Sequence, residues 1–177
     1  MHVVIRAYRP EDLEAVHAIN QAEVPAVGEE TAEALGRIAS QSCVALTVEV
    51  DDGDDGDEAG GATPVIAGFT FVLPPRVDYG SLNYAWFGER YDEFIYLDRV
   101  AVVPEYQRRG IGRLIYEEVA RRGAEEWPTA RVLALEVNLE PRNDASLAFH
   151  QSLGFVEVGQ RAGDDDKVVS MLIKPLS

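Results

Sequence analysis

Residues 98–112 read DRVAVVPEYQRRGIG, an apolar strand running into a glycine-punctuated turn and then a helix. In Gln107-Arg108-Arg109-Gly110-Ile111-Gly112 the two glycines stand where the backbone must curl tightly, with no Cβ to keep a ligand away. Apolar residues then recur at Ile111, Leu114, Ile115 and Val119, the stripe of an amphipathic helix. The first N–H groups of such a helix are unpaired and carry partial positive charge, and Arg108 and Arg109 add full charges. This chemistry suits a phosphate or pyrophosphate. The plain alternative is a connection whose arginines are merely solvated.

Two phosphate-binding signatures can be excluded on the letters. The nucleotide P-loop needs a lysine and a serine or threonine after its last glycine, and neither follows Gly112. The dinucleotide fingerprint needs a third glycine at position 115, which is Ile115.

Two carboxylates are candidates for proton transfer. Glu136 interrupts the apolar run VLALEV, where an acid is costly to bury unless it is paired or used. Asp98 lies on the strand expected over 95–103, and strand alternation puts it on one face with Tyr96, Val100 and Val102. A carboxylate in such a setting has a raised pKa and can act as a general base. Each could instead serve in an ion pair, and a water relay could replace either.

A second segment, RVLALEVNLEPRNDASLAFHQSLGF at 131–155, starts with a strand patterned for burial on both faces. Asn143 then suits the N-cap of a short helix, with Leu147, Phe149 and Leu153 as its apolar contacts and Gly154 as its stop. Strand, Q-x-x-G-x-G, helix, strand, Asn, helix and Leu-Gly-Phe, in that order, resemble the GNAT superfamily of N-acetyltransferases. The resemblance covers residues 65–175 well and the N-terminal quarter loosely.

The resemblance implies an α/β fold, a mixed and mostly antiparallel sheet of about seven strands with helices on both faces. It implies acetyl-CoA as co-substrate and direct acyl transfer to a primary amine, without a covalent enzyme intermediate. The cofactor's pantetheine arm would pair with the strand at Val100, Ala101 and Val102. The loop Gln107, Arg108, Arg109, Gly110, Ile111 and Gly112 would hold the pyrophosphate, and Asn143 would reach the cofactor. In members with a similar Leu-Glu-Val strand the glutamate acts as base, which points to Glu136, with Asp98 as the other candidate. Where the family often carries a tyrosine that protonates the departing thiolate, this chain has His150. Imidazole can donate a proton near neutrality, or the ring can simply pack. Two other functions fit: transfer from another acyl-CoA donor, and a non-catalytic acyl-CoA sensor.

The acceptor the resemblance implies is a small-molecule or peptide amine: a polyamine, an amino acid, an antibiotic or a protein N-terminus all fit. Residues 19–25 fall where the family binds acceptors, and their types give no specific chemistry. The segment 74–93 is long for a connection and rich in aromatics. Its Tyr79, Tyr84 and Trp86 could wall an acceptor pocket, or serve core packing or the contact of a homodimer.

These residues need a scaffold, and 177 residues are expected to make one domain with a proper core. The sequence predicts strands over 3–9, 43–50 and 64–73, a helix opened by Pro10 through Asn20, and a second helix around 30–39. Between the second and third strands, DDGDDGDEAGGAT misses the acids and glutamate an EF-hand loop requires, so a flexible acidic connection at 51–62 and no metal are expected. One cysteine, Cys43, rules out an internal disulfide and is expected to be buried. With 31 acidic against 16 basic residues the net charge is −15, which disfavours nucleic acid and anionic membranes as partners. No apolar leader opens the chain and no run approaches a membrane span, so a cytoplasmic protein is expected.

Overall fold

The computed structural model describes residues 1–24, 27–53, 64–163 and 167–176. Seven strands form one sheet: β1 (His2–Ala7), β2 (Val44–Asp51), β3 (Val65–Leu73), β4 (Phe94–Val102), β5 (Val132–Glu140), β6 (Val156–Ala162) and β7 (Val168–Pro175). Their order is β1-β2-β3-β4-β5-β7-β6. The helices are α1 (Leu13–Ala22), α2 (Ala32–Gln41), α3 (Leu82–Gly88), α4 (Ile111–Glu126) and α5 (Asp144–Ser152). β4 and β5 pair in parallel, while β1–β2, β2–β3, β5–β7 and β6–β7 are antiparallel. The mixed, mostly antiparallel sheet is the one expected.

The chain divides into two compact units, Met1–Val72 with Arg99–Val119, and Leu73–Asp98 with Ala120–Ser177. In the first, Val16, Leu35, Leu46, Val48, Phe69 and Phe71 are fully buried. Pro10–Asp12 form a separate 3-10 turn before α1, where one continuous helix was expected. Asp12 explains the break. Its carboxylate accepts from Arg6 at 2.7 and 2.8 Å and from the Arg9 backbone N–H at 2.8 Å, and the Arg6 guanidinium holds it below the usual carboxylate range. Thr31 caps α2 by accepting from the Ala34 N–H. Cys43 is half-buried rather than buried, its thiol donating to the Val72 carbonyl at 3.4 Å. Of the acidic connection expected at 51–62, residues 54–62 lie outside the described residues.

In the second unit β5 is buried along most of its length, the consequence of its unbroken apolar run. On one side only Phe94, Ile95 and Tyr96 of β4 pair with Val132, Leu133 and Ala134, whereas on the other β7 runs beside it from Val132 to Glu140. The 74–93 segment is not an irregular loop, because α3 lies inside it. Ser81 caps that helix by accepting from the Tyr84 N–H at 3.2 Å, and Tyr84 and Phe87, three apart, turn into the core. Aromatic content concealed this i, i+3 signal.

Candidate active site

Glu136 enters the site from β5, where its strand neighbours Leu135 and Val137 are buried and it is only half-buried. The Tyr96 hydroxyl donates to Glu136 Oε2 at 2.7 Å, and the Asn83 side chain from α3 also favours the charged carboxylate. Burial nevertheless wins over both, and with the nearby charge of Asp98 it pushes the Glu136 pKa up to about 7. Tyr96 itself is fully buried, and desolvation together with Glu136 and Asp98 drives its hydroxyl well above the ordinary range. It therefore keeps its proton and stays a donor.

Asp98 belongs to the same constellation. Its Oδ1 accepts from the Tyr79 hydroxyl at 2.7 Å, which ties the segment before α3 to β4. Tyr84 is buried, edge-on to Tyr79 and Tyr96, and its hydroxyl donates to the Pro74 carbonyl at 2.7 Å. Its ring is a strut under the site. Trp86 lies further along α3, against Gly159 of β6, where a Cβ would come within 2.7 Å of the indole; Arg90 stacks on its exposed face 3.9 Å from the ring centroid. The structure thus gathers Glu136, Asp98 and Tyr79, with Tyr84 behind them, and sets Trp86 apart, packed against β6.

Asn143 caps α5 as its sequence suggested, its side chain accepting from the Ser146 N–H at 3.0 Å. His150, in the last turn of α5, is buried edge-on between Phe149 and Phe155. Its Nδ1 is 2.7 Å from the Ser146 carbonyl oxygen, which can only accept, so Nδ1 carries the hydrogen. Burial lowers its pKa, which favours the neutral ring.

The 107–112 turn lies in the first unit. Arg108 and Gly110 both have positive φ, 58° and 86°. Alternating left-handed residues are how a backbone forms a nest for an anion, and glycine enters that region without steric cost. Gln107 Nε2 donates to the Val102 carbonyl at 2.7 Å, fixing the turn to the end of β4. Arg108, Arg109 and Gly110 are exposed, and α4 starts at Ile111, whose side chain anchors the helix in the core. On β4, Val100 and Val102 are half-buried and Ala101 is buried, the alternation of a strand with one open face. Among the described residues no group of three or more His, Cys, Asp or Glu could hold a metal ion, and no helix is long and apolar enough to cross a membrane.

The model of the acetyltransferase (GNAT) family matches residues 65–155, from β3 through α5. The chain belongs to the GNAT acetyltransferase family. It is 32% identical over 83 residues to the [ribosomal protein bS18]-alanine N-acetyltransferase of Salmonella typhimurium, covering 43% of this chain and 53% of that protein. It is 33% identical over 141 residues to the N-alpha-acetyltransferase RimI of Mycobacterium tuberculosis, covering 74% of this chain and 81% of the relative. The fold matches that of Arabidopsis thaliana NAA60, crystallised in complex with acetyl-CoA, with a TM-score of 0.71, 16% identity and 99% of both chains covered.

Within this GNAT chain, sequence reasoning passed over Tyr96 and Asn83. Tyr96 was visible as a face-mate of Asp98, and nothing local marked it as the partner of a glutamate 40 positions away. Asn83 was hidden because the helix carrying it was read as a connection.

Proposed function

We propose that this chain transfers the acetyl group of acetyl-CoA to the α-amine at the N-terminus of a protein or peptide, with Glu136 as general base. The observation that carries this reading is a strand glutamate held by Tyr96 with its pKa pushed up to about 7. An N-terminal ammonium has a pKa of roughly 7.7–8 and a lysine ammonium about 10.4. Proton transfer to Glu136 is therefore close to balanced for the first and strongly uphill for the second. That both relatives are named as N-terminal or alanine N-acetyltransferases supports the same choice.

Acetyl-CoA supplies the activated thioester. The amides of Val100 and Val102 suit its pantetheine arm as an added strand. The positive-φ turn at Arg108 and Gly110, with the guanidinium groups of Arg108 and Arg109, suits the pyrophosphate. Asn143 is committed to capping α5, so any reach of its side chain to the cofactor is shared with that cap. Glu136 takes one proton from the acceptor ammonium and releases it to solvent. The neutral amine attacks the acyl carbon, the C–S bond breaks, and the second amine proton ends on the sulfur. Asp98 keeps the proton on Glu136 exchangeable by raising its pKa, and Tyr79 holds Asp98 in place.

For His150 the geometry favours packing over acid catalysis. A neutral imidazole whose Nδ1–H is spent on Ser146 has no proton to give from Nε2. The test of the whole reading is thiol release from acetyl-CoA with two hexapeptides, one with a free N-terminal alanine and one N-terminally blocked with an internal lysine. Turnover of the first alone, lost in Glu136→Gln, is expected. Preference for the lysine peptide would overturn the acceptor assignment.

A further inference from the structure

β3 supplies no group to the candidate site, yet it borders the stretch of β4 that carries the amides of Val100 and Val102. Between Val48 and Glu49 of β2 the partner on β3 jumps from Gly68 to Ile66, so Ala67 is the extra residue of a β-bulge. The Ala67 carbonyl accepts from the Val103 N–H at 2.8 Å, just past the end of β4. A Cβ on Gly68 would lie 2.7 Å from the Ala101 carbonyl oxygen, 3.3 Å from Val102 Cγ2 and 3.4 Å from Val102 Cα. Gly68 has no left-handed φ, so this position needs space and not conformational freedom.

We propose that Gly68 is a positioning residue for acetyl-CoA, aiming the Val102 N–H through the Ala101–Val102 peptide. The inference rests on the reading of Val102 as a donor to the pantetheine arm. A trans peptide unit is planar, and its C=O and N–H point in opposite directions. The Ala101 oxygen faces Gly68 on β3, so the Val102 N–H of the same unit faces away from β3, the side on which an added strand would pair. Pushing that oxygen turns the whole unit and carries the N–H with it. A hydrogen bond weakens steeply as its angle closes, so the turn is felt by whatever the N–H holds.

Nearby peptide units of β4 are fixed by hydrogen bonds. The Thr70 hydroxyl of β3 donates to the Arg99 carbonyl at 2.8 Å, which sets the plane carrying the Val100 N–H. The Val102 carbonyl accepts from Gln107 Nε2 at 2.7 Å while the Val103 N–H goes to Ala67, which sets the plane beyond. The Ala101–Val102 unit between them instead fits sterically against a residue without a side chain. An alanine at 68 would meet main chain there, which has no alternative rotamer in which to move aside. The strain therefore falls on the unit that carries the Val102 N–H.

The experiment compares wild type with Gly68→Ala by calorimetric titration with acetyl-CoA and with S-acetylpantetheine, and follows the assigned Val102 amide by proton–nitrogen NMR. In the wild type that amide should shift on adding either ligand. Gly68→Ala should move it in the free protein and weaken both ligands by a similar factor, about tenfold, the order of one misdirected hydrogen bond. Unchanged binding of both ligands by folded Gly68→Ala overturns the inference and leaves Gly68 a packing residue. A loss confined to acetyl-CoA also overturns it, because S-acetylpantetheine lacks the pyrophosphate and the effect would then lie at the Arg108–Gly110 turn. Should Gly68→Ala fail to fold, Gly68→Ala combined with Ala101→Gly, measured against Ala101→Gly alone, takes its place, since a glycine at 101 lets the backbone yield. A wild-type Val102 amide that ignores S-acetylpantetheine would sink the reading of Val102 as donor. A responsive amide with unchanged Gly68→Ala affinities sinks only the role of Gly68.

Discussion

The Tyr96 hydroxyl and Glu136 Oε2 lie 2.7 Å apart, joining β4 to β5 just where the pairing of the two strands leaves off at Tyr96 and Ala134. A buried tyrosine whose pKa is driven far up does not lose its proton to this neighbour, so it donates to the ionised carboxylate. It opposes the desolvation that makes Glu136 a weak acid. The balance between the two sets the base near neutrality, where a base both holds and returns protons readily.

Glu136→Gln should lower kcat by about 100-fold at pH 8, the size of a lost general base, and abolish the acid limb of the rate profile near pH 7. Tyr96→Phe should instead keep the limb and move it upward, because a donor to the charged form is gone. Initial rates from pH 5.5 to 9.5 separate the two. A Glu136→Gln profile that retains its acid limb would mean that another group titrates there.

The same carboxyl makes folding pH-dependent. Its folded pKa of about 7 lies above the ordinary 4.5, so between these values the folded state binds the extra proton. The stability it contributes is present below about pH 4.5 and is lost as pH rises through 7. At pH 8 the cost is on the order of a few kcal/mol. Glu136→Gln should therefore raise the melting temperature at pH 8 relative to wild type and leave it nearly unchanged at pH 4.5. Equal shifts at both values would show that packing, and not charge, is responsible.

Gly110 has φ 86°, a conformation costing an alanine about 1–2 kcal/mol. Gly110→Ala combined with Arg108→Ala and Arg109→Ala should weaken acetyl-CoA binding by at least about tenfold, as measured by calorimetry. It should also flatten the salt dependence of that binding. S-acetylpantetheine has no pyrophosphate and should bind both proteins alike. A loss shared by both ligands would place the defect in the fold of the loop.

His150→Phe should keep turnover within about twofold, because a neutral imidazole wedged between two rings is doing the work of an aromatic. His150→Ala should cost stability through the cavity it opens. A fall in kcat of tenfold or more in folded His150→Phe, with unchanged KM values, would restore the ring as donor to the thiolate.

The chain itself determined everything local. The Gln107–Gly112 turn, the N-cap at Asn143 and the apolar run of β5 are contiguous, and each is dictated by backbone sterics or hydrogen bonding among near neighbours. That is why the sheet and the GNAT family were legible without coordinates, and why Glu136 stood out as an acid in an apolar run. Only the tertiary structure decided what surrounds that acid. Tyr96 and Asp98 come from β4, and Tyr79 comes from the segment before α3; no periodicity encodes which side chains will meet after folding. The pKa of Glu136 is a property of that meeting: it arises from the dielectric, the donors and the neighbouring charge that burial assembles around one carboxyl.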